Sequence, residues 1–182
     1  KFCLLVVGGS QGAKIFQDIV KEVIINLSQK KNIKIIHQVK SENINYLKNI
    51  YDERNIENIV FDFDENFDDL INQSDLCITR AGASTLAELS ILNKPFIAVP
   101  LHSAKDNHQL ENASFYYDLN CCWIIDQINF NINTLEDFLN GLLKDKSDYI
   151  KKKDNLRKLN YQNSWNNVNQ KLLDTLNEIR TS

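Results

Sequence analysis

Proline is scarce in this chain of 182 residues, with only Pro95 and Pro100, and the pair brackets one short apolar run. No apolar run approaches the roughly 20 residues needed to span a bilayer. Cysteine is sparse too. Cys3 and Cys77 fall inside apolar, strand-like runs, and Cys121 and Cys122 are adjacent. That spacing fits neither a disulfide framework nor a metal site, which predicts buried reduced thiols in a cytoplasmic protein. The three histidines are scattered, and the acidic cluster Asp62, Asp64 and Glu65 lacks a chelating partner, so no metal is expected. Charge of one sign is also lacking: the net charge of -3 gives no sequence-wide basic field for nucleic acid. There is no internal repeat, no low-complexity linker and no break in composition.

What is present has the balance of one globular domain: 43% hydrophobic and 25% charged residues. The excess of Asn, Ile and Lys is read as compositional drift. The opening run Lys1–Val7 leads straight into a glycine loop, so it is not a signal peptide. The chain has no initiator Met, and the expectation is a piece cut from a longer protein.

Short β-branched runs at Leu4–Val7, Ile33–His37, Asn58–Phe61, Leu76–Thr79, Phe96–Val99 and Cys122–Ile125 predict strands. Helical patterns lie between them at Ala13–Ser28, Glu42–Glu53, Phe67–Gln73, Thr85–Leu92 and Asn107–Asp118. Thr134–Leu143 and a long polar stretch to Ile179 follow. Strands alternating with helices imply right-handed crossovers and a parallel sheet covered on both faces. The fold class is therefore α/β, a doubly wound parallel sheet of Rossmann-like type, as one domain over 1–182 with a helical tail at about 145–180.

In such sheets ligands bind beyond the carboxyl ends of the strands. Three strand-to-helix loops there carry chemistry. Gly8-Gly9-Ser10-Gln11-Gly12-Ala13 permits close backbone approach to a phosphate or sugar, or is simply a tight turn. It matches neither G-x-G-x-x-G nor the P-loop pattern, which argues against a dinucleotide or nucleotide-triphosphate site. Arg80-Ala81-Gly82-Ala83-Ser84-Thr85 leads into Leu86-Ala87-Glu88. Thr85 and Glu88 have capping-box spacing, yet the same small-residue loop could hold a diphosphate, with Glu88 accepting from ribose hydroxyls. The third loop runs from Pro100 to Gln109 and on to Asn112-Ala113, dense in groups that both donate and accept. It suits a sugar, or is a polar helix start capped by Asp106.

Taken together and in order, these segments resemble the donor-binding lobe of the MurG-type N-acetylglucosaminyltransferases. GGSQGA at Gly8–Ala13 is similar to the start of that lobe, Arg80–Glu88 to its RAGA-x-T-x-x-E segment, and Asp106–Ala113 to its D-x-H-Q-x-x-N-A helix start. His37-Gln38 and Phe63-Asp64 are smaller matches, and the resemblance covers nearly the whole chain. It implies the C-terminal half of a GT-B enzyme that transfers N-acetylglucosamine from its UDP donor, converting lipid I to lipid II in peptidoglycan synthesis at the inner face of the cell membrane.

The resemblance also implies roles. Gly9, Ser10 and Gln11 would lie along the diphosphate and sugar, and Phe63 and Asp64 would border the uracil. The amides of Ala83, Ser84 and Thr85 would receive the diphosphate, with Leu86 and Ala87 completing that segment and Glu88 holding the ribose. His108 and Gln109 would contact sugar hydroxyls, while Arg80, Gly82, Asp106 and Asn112 support the loops. Asp64, Ser84 and His102 depart from commoner family residues without removing a required group. No catalytic base is expected here, and no tightly bound cofactor. His37, at the loop after the second strand, is read as structural, and the base belongs with an acceptor lobe and membrane-facing surface that this chain lacks.

Three other readings stay open: the donor subunit of a split two-chain transferase, a related nucleotide-sugar epimerase or hydrolase, and a non-enzymatic module binding anionic lipid through Lys151–Lys153, Arg157 and Lys158. For so short a charge run a solvated helix face is the favoured account.

Overall fold

The computed structural model describes residues 1–9, 14–101, 108–163, 167, 170 and 171. Among them, six parallel strands form one sheet: β1 (Phe2–Val7), β2 (Ile33–Gln38), β3 (Glu57–Phe61), β4 (Leu76–Thr79), β5 (Phe96–Ala98) and β6 (Cys122–Ile124). The strand order is β3-β2-β1-β4-β5-β6. The chain therefore reverses its direction of winding between β1 and β4. In doubly wound sheets such a reversal is where a crevice opens at the carboxyl edge.

Among the described residues, seven α-helices flank the sheet: α1 (Lys14–Ser28), α2 (Ile44–Asp52), α3 (Phe67–Gln73), α4 (Ala83–Ile91), α5 (His108–Asp118), α6 (Ile132–Lys144) and α7 (Ser147–Gln162). Alternation along the strands divides the core. Leu4, Val6, Ile35 and Ile78 point to one face and pack with Phe16, Val20 and Ile24 of α1, Leu47 and Tyr51 of α2, and Leu135 and Leu139 of α6. Leu5, Val7, Ile36 and Cys77 point to the other, under Leu70 of α3, Leu86 and Leu89 of α4, and Ala113 of α5. All four cysteines are free and buried, and burial pushes the thiols up, that of Cys3 to about 11 and that of Cys122 to about 12.

Element ends differ from the sequence reading in instructive ways. The second helical region opens with a 3-10 turn at Ser41–Asn43 before α2, and α4 begins at Ala83, two residues ahead of Thr85. The expected starts at Ala13 and Asn107 lie outside the described residues, as does most of the chain beyond Asn163. Asparagine abundance finds a structural use. Asn55, Asn93 and Asn120 all take positive φ just after helices, with 5→2-type closures such as Asn93 N–H to Ser90 O at 2.9 Å. Asparagine tolerates that left-handed geometry better than other side chains, and so it stands in for the usual glycine. At the far end, α7 is held to the body by Lys152, whose ammonium donates to Asn120 Oδ1 at 2.8 Å and sits 4.8 Å from the Trp123 ring centre. Asn160 adds a bond to Ser90 O at 2.7 Å.

Candidate functional site

The connections after β3, β1, β4 and β5 leave the same carboxyl edge, with β2 between the first two. The β4–α4 connection is the most completely described. Gly82 is the N-cap of α4, with φ -69 and ψ 135 and no side-chain cap. The first backbone bond of the helix runs from Leu86 N–H to Gly82 O at 3.1 Å. The amides of Ala83, Ser84 and Thr85 thus precede the helical ladder and point out of its positive end. Ala83 and Ser84 are exposed, Thr85 and Ala87 half-buried, and no acidic residue occupies the first turn. This overturns the capping-box reading. Thr85 is the third helical residue, not the cap, so it cannot reach back over the first turn. Leu86 lies wholly in the core, so its side chain faces the sheet and its N–H is already bonded.

Glu88 sits one turn further on, half-buried. Burial, with Asp68 nearby, raises its carboxyl above the usual range. With no cationic partner among the described residues, an anion held there favours hydroxyl donors.

Arg80 stands behind this loop. Its backbone N–H meets Val7 O at 3.3 Å, its Nη1 donates to Val99 O at 3.0 Å, and its guanidinium carbon lies 4.9 Å from the Phe16 ring centre. The backbone of Arg80 thus joins the ends of β1 and β4, and its side chain joins the end of β5 to the first turn of α1. Asn112 adds a second tie, donating Nδ2 to Ala81 O at 3.1 Å from α5.

At the start of α5, Gln109 accepts the Leu101 N–H on Oε1 at 2.9 Å. His108 is exposed, its Nδ1 3.7 Å from Glu111. Asp106 lies outside the described residues, as do Ser10, Gln11 and His102. Gly9 is described, with φ +74, a conformation that favours glycine. Its N–H donates to Gln38 Oε1 at 3.2 Å and so points into the protein. Phe63, after β3, is 81% exposed, which is unusual for a phenylalanine and places an apolar ring at the rim. Asp64 turns its carboxylate to the Asn66 N–H at 2.8 Å, leaving its own backbone unconstrained by that bond.

His37 is not in a loop. It lies within β2, fully buried, with Nδ1 3.0 Å from the Tyr51 hydroxyl. Desolvation pushes its pKa down to about 3, so it stays neutral and packs as a core residue. Among the described residues no group of three His, Cys, Asp or Glu side chains could hold a metal ion. Two features escaped sequence reasoning: Gly82 as the cap, and Gln38 as a contact of the glycine loop. The first was signalled by the small-residue run, and the second by nothing local.

The chemistry these parts support is specific. Three outward amides and a helix dipole suit a diphosphate, a half-buried carboxylate one turn in suits vicinal hydroxyls, and an exposed ring suits a planar base.

The family described as glycosyltransferase family 28 C-terminal domain matches residues 3–168. A curated relative from Pelagibacter ubique, UDP-N-acetylglucosamine–N-acetylmuramyl-(pentapeptide) pyrophosphoryl-undecaprenol N-acetylglucosamine transferase, is 46% identical over 175 residues, covering 96% of this chain and 49% of the relative. The crystal structure of Acinetobacter baumannii MurG superposes with a TM-score of 0.76 at 26% identity, covering 97% of this chain and 52% of that one. The UDP-GlcNAc 2-epimerase of Neisseria meningitidis, solved with UDP-GlcNAc, shares the fold alone, with a TM-score of 0.59 at 14% identity over 84% of this chain and 38% of that one. This chain spans about half the length of the curated relatives it matches. By the match over residues 3–168 and the likeness in both sequence and fold, the chain belongs to the glycosyltransferase family 28 C-terminal domain family.

Proposed function

We propose that this domain binds UDP-N-acetylglucosamine as the donor half of an inverting glycosyltransferase that converts lipid I to lipid II. The observation that carries this reading is the N-terminus of α4 at the strand reversal, which no side chain caps, with Glu88 one turn behind it. The relatives' printed name supplies donor and acceptor. In this reading the amides of Ala83, Ser84 and Thr85 receive the diphosphate, and Ser10 and Gln11 approach it from the glycine loop. Glu88 holds the ribose, the Phe63–Asp64 segment borders the uracil, and His108 with Gln109 meets the sugar. Leu86 contributes by fixing the first turn, and Arg80, Gly82, Asp106 and Asn112 hold the loops.

The acceptor hydroxyl attacks the anomeric carbon as UDP departs. The charge that grows on the diphosphate is met by amides already in place, which is electrostatic preorganisation. The general base belongs to the other half of the enzyme, which also meets the lipid acceptor at the inner face of the membrane. Among the described helices none is long and apolar enough to cross a bilayer.

Calorimetric titration with UDP-N-acetylglucosamine, UDP and TDP tests this reading. The expected result is binding of the first two and no sugar transfer to a lipid acceptor by the chain alone. Transfer by this chain, or conversion of the donor to its 2-epimer, would overturn the division of labour. A second measurement separates sugar from nucleotide recognition. Gln109→Ala is expected to weaken UDP-N-acetylglucosamine about fivefold, the low end of a lost side-chain hydrogen bond, with UDP nearly unchanged. Equal losses for both ligands would limit Gln109 to bracing the loop through Leu101.

A further inference from the structure

Gln38 is the last residue of β2, which lies between β1 and β3. Its amide uses both ends. Oε1 accepts the Gly9 N–H at 3.2 Å, and Nε2 donates to Asp62 O at 3.0 Å. The reverse orientation would set NH2 against N–H and carbonyl against carbonyl, so the amide has one satisfactory pose. Asp62 is itself fixed, since its Oδ2 accepts from the backbone N–H of Ser41 at 3.2 Å and from the Ser41 hydroxyl. The Val39 N–H to Phe61 O bond at 2.8 Å prolongs the β2–β3 pairing beneath it.

Gly9 opens the glycine loop, and Asp62 immediately precedes Phe63 and Asp64. A single side chain thus ties together the two loops that the donor-binding reading assigns to opposite ends of the nucleotide. We propose that Gln38 is a positioning residue that sets the separation between Gly9 and the Phe63–Asp64 segment, and so selects ligands long enough to reach from one to the other. The proposal rests on the donor-binding reading. Gln38 touches no ligand in it. Its influence comes from geometry: two loops at a fixed spacing act on a bridging ligand as a preorganised bivalent site, and a fragment that meets only one loop gains nothing from the spacing.

The test uses Gln38→Leu and Gln38→Glu with UDP, uridine and UDP-N-acetylglucosamine. Gln38→Leu removes both bonds, and the expected result is UDP affinity lower by about fivefold with uridine affinity, followed by NMR titration, within about twofold of the original. A merely structural residue would lower both ligands together along with the melting temperature. In Gln38→Glu the carboxylate still accepts from Gly9 but meets Asp62 O without a proton to donate. Among the described residues, Asp62 bonds this amide, and Lys14, Lys40 and Glu42 line the same cavity. Protonation restores the donor, so the affinity of this variant for UDP-N-acetylglucosamine, taken relative to the unaltered chain at each pH, is expected to recover as pH falls.

Equal losses for UDP and uridine, unchanged UDP binding in Gln38→Leu, or a pH-independent ratio in Gln38→Glu would each overturn the positioning role. Absence of UDP binding by the unaltered chain would overturn the donor-binding reading, and the proposal with it.

Discussion

Gly82→Asp is expected to leave the fold intact while lowering UDP affinity by about a hundredfold or more. The two halves of that expectation have separate causes. Gly82 caps α4 with φ -69 and ψ 135, a conformation open to any residue, and a Cβ there meets no heavy atom within 4 Å. Asp is among the better N-caps and complements the helix dipole, so stability should hold or rise by a few tenths of a kcal/mol. The same carboxylate would accept from the Ser84 or Thr85 amide, the groups proposed for the diphosphate, and would set a negative charge against it. Losing two charge-assisted bonds of about 1.5–3 kcal/mol each gives at least about 3 kcal/mol, or about a hundredfold at about 1.4 kcal/mol per tenfold. Gly82→Ala, which adds no acceptor, serves as the control and should bind UDP nearly as before. Calorimetry paired with thermal melting reads both quantities. A raised melting temperature with unchanged UDP affinity in Gly82→Asp would place the diphosphate elsewhere.

Glu88→Gln should lower UDP affinity about tenfold or more, since a charge-assisted hydrogen bond to the ribose is worth about 1.5–3 kcal/mol. Spacing alone had allowed Glu88 a second role in capping. With Gly82 as the cap and Thr85 inside the helix, that role is gone, and the substitution has no helix start to disturb. The carboxyl is raised in the free chain by burial and by Asp68, so its charged form is disfavoured there. Replacing it with a neutral amide removes that penalty, and the melting temperature should stay level or rise slightly near neutral pH.

The sign of the pH dependence follows. Ribose hydroxyls donate to the charged form, so the ligand favours deprotonation, and affinity should fall as pH drops through the Glu88 titration. UDP-N-acetylglucosamine is the right probe, because its diphosphate carries no proton that titrates in that range. Glu88→Gln should flatten that profile. A profile of the same slope in both proteins, or a loss of stability without a loss of affinity, would remove Glu88 from the ribose.

Much of the architecture was legible locally. Phe67–Gln73 and Leu76–Thr79 were read to the residue, because an amphipathic run bounded by polar residues and a β-branched run bounded by turns each carry their own period. Helix starts were harder. The start of α4 depends on where the chain leaves β4, and the Arg80 N–H to Val7 O bond draws it along the end of β1 before the turn at Gly82. The sequence places His37 at the end of the Ile33–His37 run, where the loop would begin, whereas β2 runs on to Gln38. The hydroxyl partner of His37, Tyr51, lies in the helix packed above, and that pairing lets a histidine sit fully buried in the strand.

The sequence by itself determined the parallel α/β sheet, the two-sided core and the strand-to-helix loops from which a diphosphate site was expected, since each follows from periodicity and residue type within a few positions. The tertiary structure alone decided which groups in those loops face outward. Gly9 points its amide inward because β2 lies beside β1 and brings Gln38 beneath it, and Arg80 spans three strand ends because β4 lies between β1 and β5. Strand order is a property of the whole sheet. Hydrogen bonds between loops depend on that order, and no window of sequence contains both partners.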